Sequence, residues 1–91
     1  MTHAIVLIEA ERAMMNVLGG QIADIEGVAE SYSVTGTWDF VAIVRVRAHD
    51  QLASVITAGI GGLSGVVRTQ TMVAFEAFSK HDLDALFAVG E

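Results

Sequence analysis

The sequence contains no cysteine and no proline. The first absence excludes disulfides, thiolate metal ligands and thiol nucleophiles. The second, with no low-complexity stretch, leaves nothing that marks an interdomain linker. Cations are scarce: five Lys and Arg stand against eleven Asp and Glu, for a net charge of −6. That balance lacks the basic footprint of nucleic-acid binding, so no direct nucleic-acid partner is expected. No apolar run approaches the ~20 residues of a membrane span. The opening Met1-Thr2-His3-Ala4 lacks the charged start of a signal peptide. A soluble, cytoplasmic protein with no membrane partner is the expectation. His3, His49 and His81 lie far apart and show no metal-ligand spacing. No phosphate loop and no G-x-S-x-G is present, and Gly59-x-Gly61-Gly62 falls at a helix end rather than after a strand. Neither a metal nor a cofactor is implied, and no catalytic residue stands out.

Apolar residues, by contrast, are abundant. They make up 53% of 91 residues, against a usual ~45–50%. A domain of this size buries only about two-thirds of its unfolded surface. Surplus apolar surface on so short a chain implies self-association.

The chain repeats itself. Ala4-Ile5-Val6 returns 38 positions on as Ala42-Ile43-Val44, Val17 as Val55, Ile22 as Ile60, and Gly27-Val28 as Gly65-Val66. Each copy opens on a short apolar run, Ala4–Ile8 or Phe40–Val44, rich in Ile and Val, which reads as a strand buried on both faces. A helix follows. Met14, Val17, Leu18, Ile22 and Ile25 fall at steps 0, 3, 4, 8 and 11, as do Leu52, Val55, Ile56, Ile60 and Leu63. That spacing makes one apolar stripe on a 3.6-residue period. Asp50 is the expected N-cap of the second helix. Gly27 and Gly65 end the turns, and second strands begin at Val28 and Val66. Val28, Glu30, Tyr32 and Val34 are expected on one face, as are Val66, Arg68, Gln70 and Met72.

The order is βαββαβ. It predicts an α+β, ferredoxin-like domain over 1–78: a four-stranded antiparallel sheet, the first and third strands central, with two helices on one face. Residues 79–91 form a tail. There Ser79 to Asp82 resemble a capping box, and Leu83, Leu86 and Phe87 share a face, so a short C-terminal helix docked on a subunit is expected. The helices leave one apolar sheet face uncovered, and a second copy is the simplest cover, giving a homodimer packed through its sheets. Arg45 stands where the first copy has Leu7. It either points to that face, paired with Glu30 or Glu76, or reaches solvent at the strand end.

The copies part at their ends. The first closes through Thr35-Gly36-Thr37-Trp38-Asp39 into the next strand, whereas the second runs on as Thr69-Gln70-Thr71-Met72-Val73-Ala74-Phe75. Gly36 permits a positive φ. Two readings of the hairpin stand: Asp39 caps a backbone amide, or the loop is a ligand site. In the second, free amides at the glycine turn take a carboxylate and Asp39 takes an ammonium group, the two charges of an α-amino acid. Thr69 and Thr71 offer hydroxyls, though threonine is ordinary in strands.

Gly27-Val28-x-Glu30-x-Tyr32-x-Val34-Thr35-Gly36-x-x-Asp39, followed by Gly65-Val66-x-Arg68-Thr69-x-Thr71, resembles the effector (RAM) domain of the Lrp/AsnC regulators over roughly residues 3–78. The resemblance implies a ferredoxin-like domain that dimerises through its sheet. It implies assembly of dimers into rings, often octamers, and binding of small effectors, commonly amino acids, between dimers. It carries over Gly36, Thr37, Trp38, Asp39, Thr69 and Thr71 as ligand contacts. Family regulators also carry a helix-turn-helix domain, for which this chain has no room. It is therefore similar to the stand-alone members, which sense amino acids alone or join full-length regulators in mixed assemblies. Two other classes stay open: a small enzyme of the dimeric α+β barrel type, a monooxygenase or isomerase, and a purely structural subunit. The enzyme needs a polar catalytic group between helices and sheet, where the stripes offer Met, Val, Leu and Ile.

Overall fold

Short Ile- and Val-rich runs form the two central strands of the sheet. The computed structural model describes residues 1–78. Its strands are β1 (Thr2–Ala10), β2 (Val28–Ser33), β3 (Phe40–Val46) and β4 (Val66–Val73). Helix α1 (Met15–Ala23) joins β1 to β2, and a second helix (Ser54–Ile60) joins β3 to β4. The strand order is β2-β3-β1-β4, with every neighbouring pair antiparallel. This is the ferredoxin-like arrangement expected, with the first and third strands central. The expected C-terminal helix lies outside the described residues. No helix among those described is long and apolar enough to cross a membrane.

Alternation along the central strands sorts the two sheet faces. Ala4, Val6 and Ile8 of β1 and Phe40, Ala42, Val44 and Val46 of β3 are buried against the helices. Leu18 and Ile22 of α1 meet them, with Leu52, Val55 and Ile60 around the second helix. Every buried residue described is apolar. Ser31, on this side of β2 opposite Ala42, encloses a hydroxyl with no hydrogen-bond partner.

The other face carries Ile5 and Leu7 opposite Ile43 and Val41. These four are only half-buried, and no element among the described residues covers them. Arg45, opposite His3, continues this face. Its guanidinium lies 3.5 Å from Glu30, so the residue points to the open face and finds the carboxylate expected for it. Glu30 also accepts the Tyr32 hydroxyl. That bond holds the Tyr32 phenol in its protonated form and raises its pKa above the usual 10, with burial adding to the shift and Arg45 opposing it. The bond's contribution to folding is therefore whole below the ordinary phenol pKa. It fades as pH rises through the raised one. Tyr32 is the sole tyrosine, so an ultraviolet titration reads it alone. Glu30→Gln is expected to bring its midpoint down toward the ordinary value, and an unchanged midpoint would contradict the assignment.

The 38-residue repeat extends to irregularities the sequence did not announce. A β-bulge lies between Val28 and Glu30 where β2 pairs with β3, and another between Arg68 and Val66 where β4 pairs with β1. The extra residues are Ala29 and Val67, again 38 apart. Each bulge inserts one residue and shifts the alternation. Val28 and Val66 therefore pack on the helix-side core, while Glu30 and Arg68 turn to the open face. This corrects the expectation that Val28 shares a face with Glu30, and Val66 with Arg68.

Three further differences lie in the helices. Val17 is 45% exposed. The buried stripe of α1 is centred on Leu18 and Ile22, flanked by Met15 and Ile25, and Val17 lies about 100° to one side. The second helix is wound in the wide π form, closed by Gly61 N–H donating to Ile56 O at 2.8 Å. Asp50 does not cap it. Instead a 3₁₀ turn, His49–Gln51, leads in, and Gln51 Oε1 accepts the amides of Arg47 and Ala48 at 2.9 and 3.0 Å. The glutamine side chain is one methylene longer than that of Asp50 and reaches back over the turn.

Candidate functional site

The β2–β3 hairpin turns where Gly36 takes φ 105°, the left-handed backbone that its lack of a Cβ allows. Val34 N–H donates to Asp39 O at 3.0 Å and closes the loop. Asp39 then ties the loop to β1: its N–H donates to Ile8 O at 2.9 Å, and its Oδ2 accepts the Ala10 N–H at 2.8 Å. The amide-capping reading of Asp39 is therefore realised by one carboxylate oxygen. Among the described residues, the amides of Thr35, Gly36, Thr37 and Trp38 donate no backbone bond within the turn. They form a run of donors unused within the turn, next in sequence to the Asp39 carboxylate, and such an arrangement can accept an anion and a cation side by side.

Trp38 is held from the neighbouring strand. The Arg68 guanidinium carbon lies 4.4 Å from its ring centroid, within range of a cation–π contact worth about 0.5–1 kcal/mol at an exposed site. Arg68 Nε in turn lies 3.1 Å from Glu9 Oε1. Both partners of that pair are largely exposed, so it adds little stability; its effect is to fix the guanidinium over the indole. Glu9 and Arg68 are direct partners in the β1–β4 register. Neither was picked out from sequence as a site residue. Arg68 stands in the motif, but its pairing with Glu9 spans 59 residues and follows only from the register.

Thr69 and Thr71 sit opposite Ile8 and Val6 in that register, on the helix side of β4, and both are exposed. Arg68, which carries Trp38, is on the opposite side. Thus Gly36, Thr37, Trp38 and Asp39 form one cluster with Arg68, Glu9 and the end of β1. No hydrogen bond among the described residues links it to either threonine. Groups of His, Asp and Glu that could hold a metal ion are also lacking among the described residues.

Residues 3–83 match the family model of the Lrp/AsnC ligand binding domain. Among solved structures, a protein of Thermus thermophilus is 45% identical and superposes with a TM-score of 0.82, covering 88% of this chain and 100% of that one. The feast or famine regulatory protein of M. tuberculosis, solved in complex with L-methionine, is 25% identical with a TM-score of 0.73. That match covers 88% of this chain and 54% of the regulator. AsnC of E. coli shares the fold at 19% identity and a TM-score of 0.76, over 84% of this chain and 52% of its own. The chain thus spans about half the length of these two regulators and the whole of the Thermus protein. No match was found among curated proteins.

Proposed function

This chain belongs to the Lrp/AsnC ligand-binding-domain family, and from that premise we propose that it is an amino-acid-sensing regulatory module. One observation carries the reading: the Gly36–Asp39 hairpin presents unpaired amides next to a carboxylate. The amides of Gly36, Thr37 and Trp38 receive the effector's carboxylate, and Asp39 receives its ammonium group. Asp39 is already anchored to Ala10 N–H through one oxygen. It therefore meets the ligand without first being ordered, which lowers the cost of binding.

Thr69 and Thr71 complete the site from a second chain. They lie on the far side of β4 from the residue that holds Trp38, so an effector touching both groups bridges two subunits. Self-association follows the same logic. The half-buried strip of Ile5, Leu7, Val41 and Ile43 packs on its counterpart to give a homodimer, and dimers assemble into a ring, an octamer or similar, with effector between them. In the cytoplasm such rings act alone or mix with full-length regulators. The enzyme reading is the weaker one, because the buried residues described between sheet and helices are apolar and the Ser31 hydroxyl enclosed there has no hydrogen-bond partner that would activate it.

A thermal-shift screen of the twenty amino acids tests the proposal. A ligand at one hundred times its Kd stabilises by about 2.7 kcal/mol. At least one amino acid is expected to raise the melting temperature, and Asp39→Ala is expected to remove that rise. No rise with any of them would contradict the reading.

A further inference from the structure

One ion pair breaks the 38-residue correspondence. Arg68 and Glu9, paired at 3.1 Å, are the counterparts of Glu30 and Arg47. Yet Glu30 takes Arg45 at 3.5 Å, a residue whose counterpart is Leu7. Arg47 is left with no carboxylate partner among the described residues. It lines a cavity of about 380 Å³ together with Arg45, Gln51, Ser54, Glu26 and Gly27. The cavity lies at the C-terminal end of β3, whereas the Gly36–Asp39 hairpin lies at its start. The counterparts of Arg45, Arg47, Gln51 and Ser54 in the first copy are Leu7, Glu9, Ala13 and Asn16, which include no cation.

We propose that this cavity is a second ligand site, separate from the hairpin, for a small anion bearing a carboxylate or phosphate group. Arg45 and Arg47 both line it, and because Glu30 already engages the Arg45 guanidinium at 3.5 Å, the free cation among the described residues is Arg47. A guanidinium freed from a carboxylate offers a planar fork of donors matched to either anion. Gln51 is oriented for the same task. Its Oε1 accepts the Arg47 and Ala48 amides, so its amide N–H groups remain to donate, beside the Ser54 hydroxyl. Glu26 in the lining opposes highly charged ligands and favours one with a single anionic group. The volume lies at the lower end of the ~300–1,000 Å³ usual for small-molecule sites.

Melting temperatures in potassium phosphate, sodium butyrate and sodium chloride at equal ionic strength test the proposal. Saturable stabilisation is expected from phosphate, from butyrate or from both, and not from chloride; the stabilising salt identifies the anion class. Arg47→Gln is expected to weaken it about tenfold or more, the loss of a charge-assisted hydrogen bond, and Ser54→Ala by less. Equal effects of all three salts, or full stabilisation retained in Arg47→Gln, would overturn the proposal.

Discussion

Gly65→Ala is expected to destabilise the domain by roughly 2–5 kcal/mol, a large share of a total stability on the order of 5–15 kcal/mol. Two effects add. Gly65 has φ 95°, where an L-residue costs about 1–2 kcal/mol. An added Cβ would also lie 2.6 Å from Met14 Cβ, 2.5 Å from Met14 Cγ and 3.3 Å from Leu18 Cδ1. A Cβ cannot rotate away, so Met14 and the start of α1 that follows it must shift off the sheet, and overpacking of that kind costs about 1–3 kcal/mol. The shift also strains the Glu11 N–H bond to Gly65 O, at 2.8 Å. Gly36→Ala is the matched control. It has φ 105° but nothing within 4 Å of an added Cβ, so only the backbone term of about 1–2 kcal/mol applies. Urea denaturation at one protein concentration is expected to place Gly65→Ala well below Gly36→Ala. Equal losses would show that the α1–Gly65 contact is not what the glycine serves.

Ile43→Asp is expected to turn the proposed sheet-on-sheet dimer into a monomer. Ile43 lies mid-sheet on the open face, opposite Ile5 on one side and Glu30 on the other. In a sheet-on-sheet dimer the new carboxylate is buried without a partner and beside an existing one. An uncompensated buried charge costs about 3–5 kcal/mol, which weakens association by about two to four orders of magnitude. Sedimentation equilibrium at micromolar concentration reads this directly. Gln21→Glu, the same charge change on an exposed position of α1, is expected to leave the wild-type assembly intact. Dissociation by both variants, or by neither, would place the interface elsewhere.

The strand and helix order was legible because the chain states it twice. Ala4-Ile5-Val6 and Ala42-Ile43-Val44 mark the two most apolar strands, and those are the central pair. The bulges at Ala29 and Val67 were not legible, because nothing in an alanine or a valine marks an inserted residue. Their effect was large, since one extra residue moves Val28 and Val66 to the core. The π-winding of the second helix was equally hidden: Leu52, Val55 and Ile60 reach the core whether the turn closes at four residues or five. In the hairpin, Gly36 and Asp39 announced themselves through turn chemistry. The Glu9–Arg68–Trp38 contact did not, because it depends on which residue of β1 meets which residue of β4. The orientation of Arg45 was undecided for the same reason, and the register resolved it.

The central claim is that the Gly36–Asp39 hairpin holds an amino acid. Trp38 is the only tryptophan and stacks on Arg68 within that hairpin, so its emission reports the site without a label. Titration of the chain with the amino acid that stabilises it most is expected to give a saturable change in Trp38 emission, absent in Asp39→Ala. A tryptophan signal that stays flat while that amino acid demonstrably binds would put the ligand elsewhere and contradict the account.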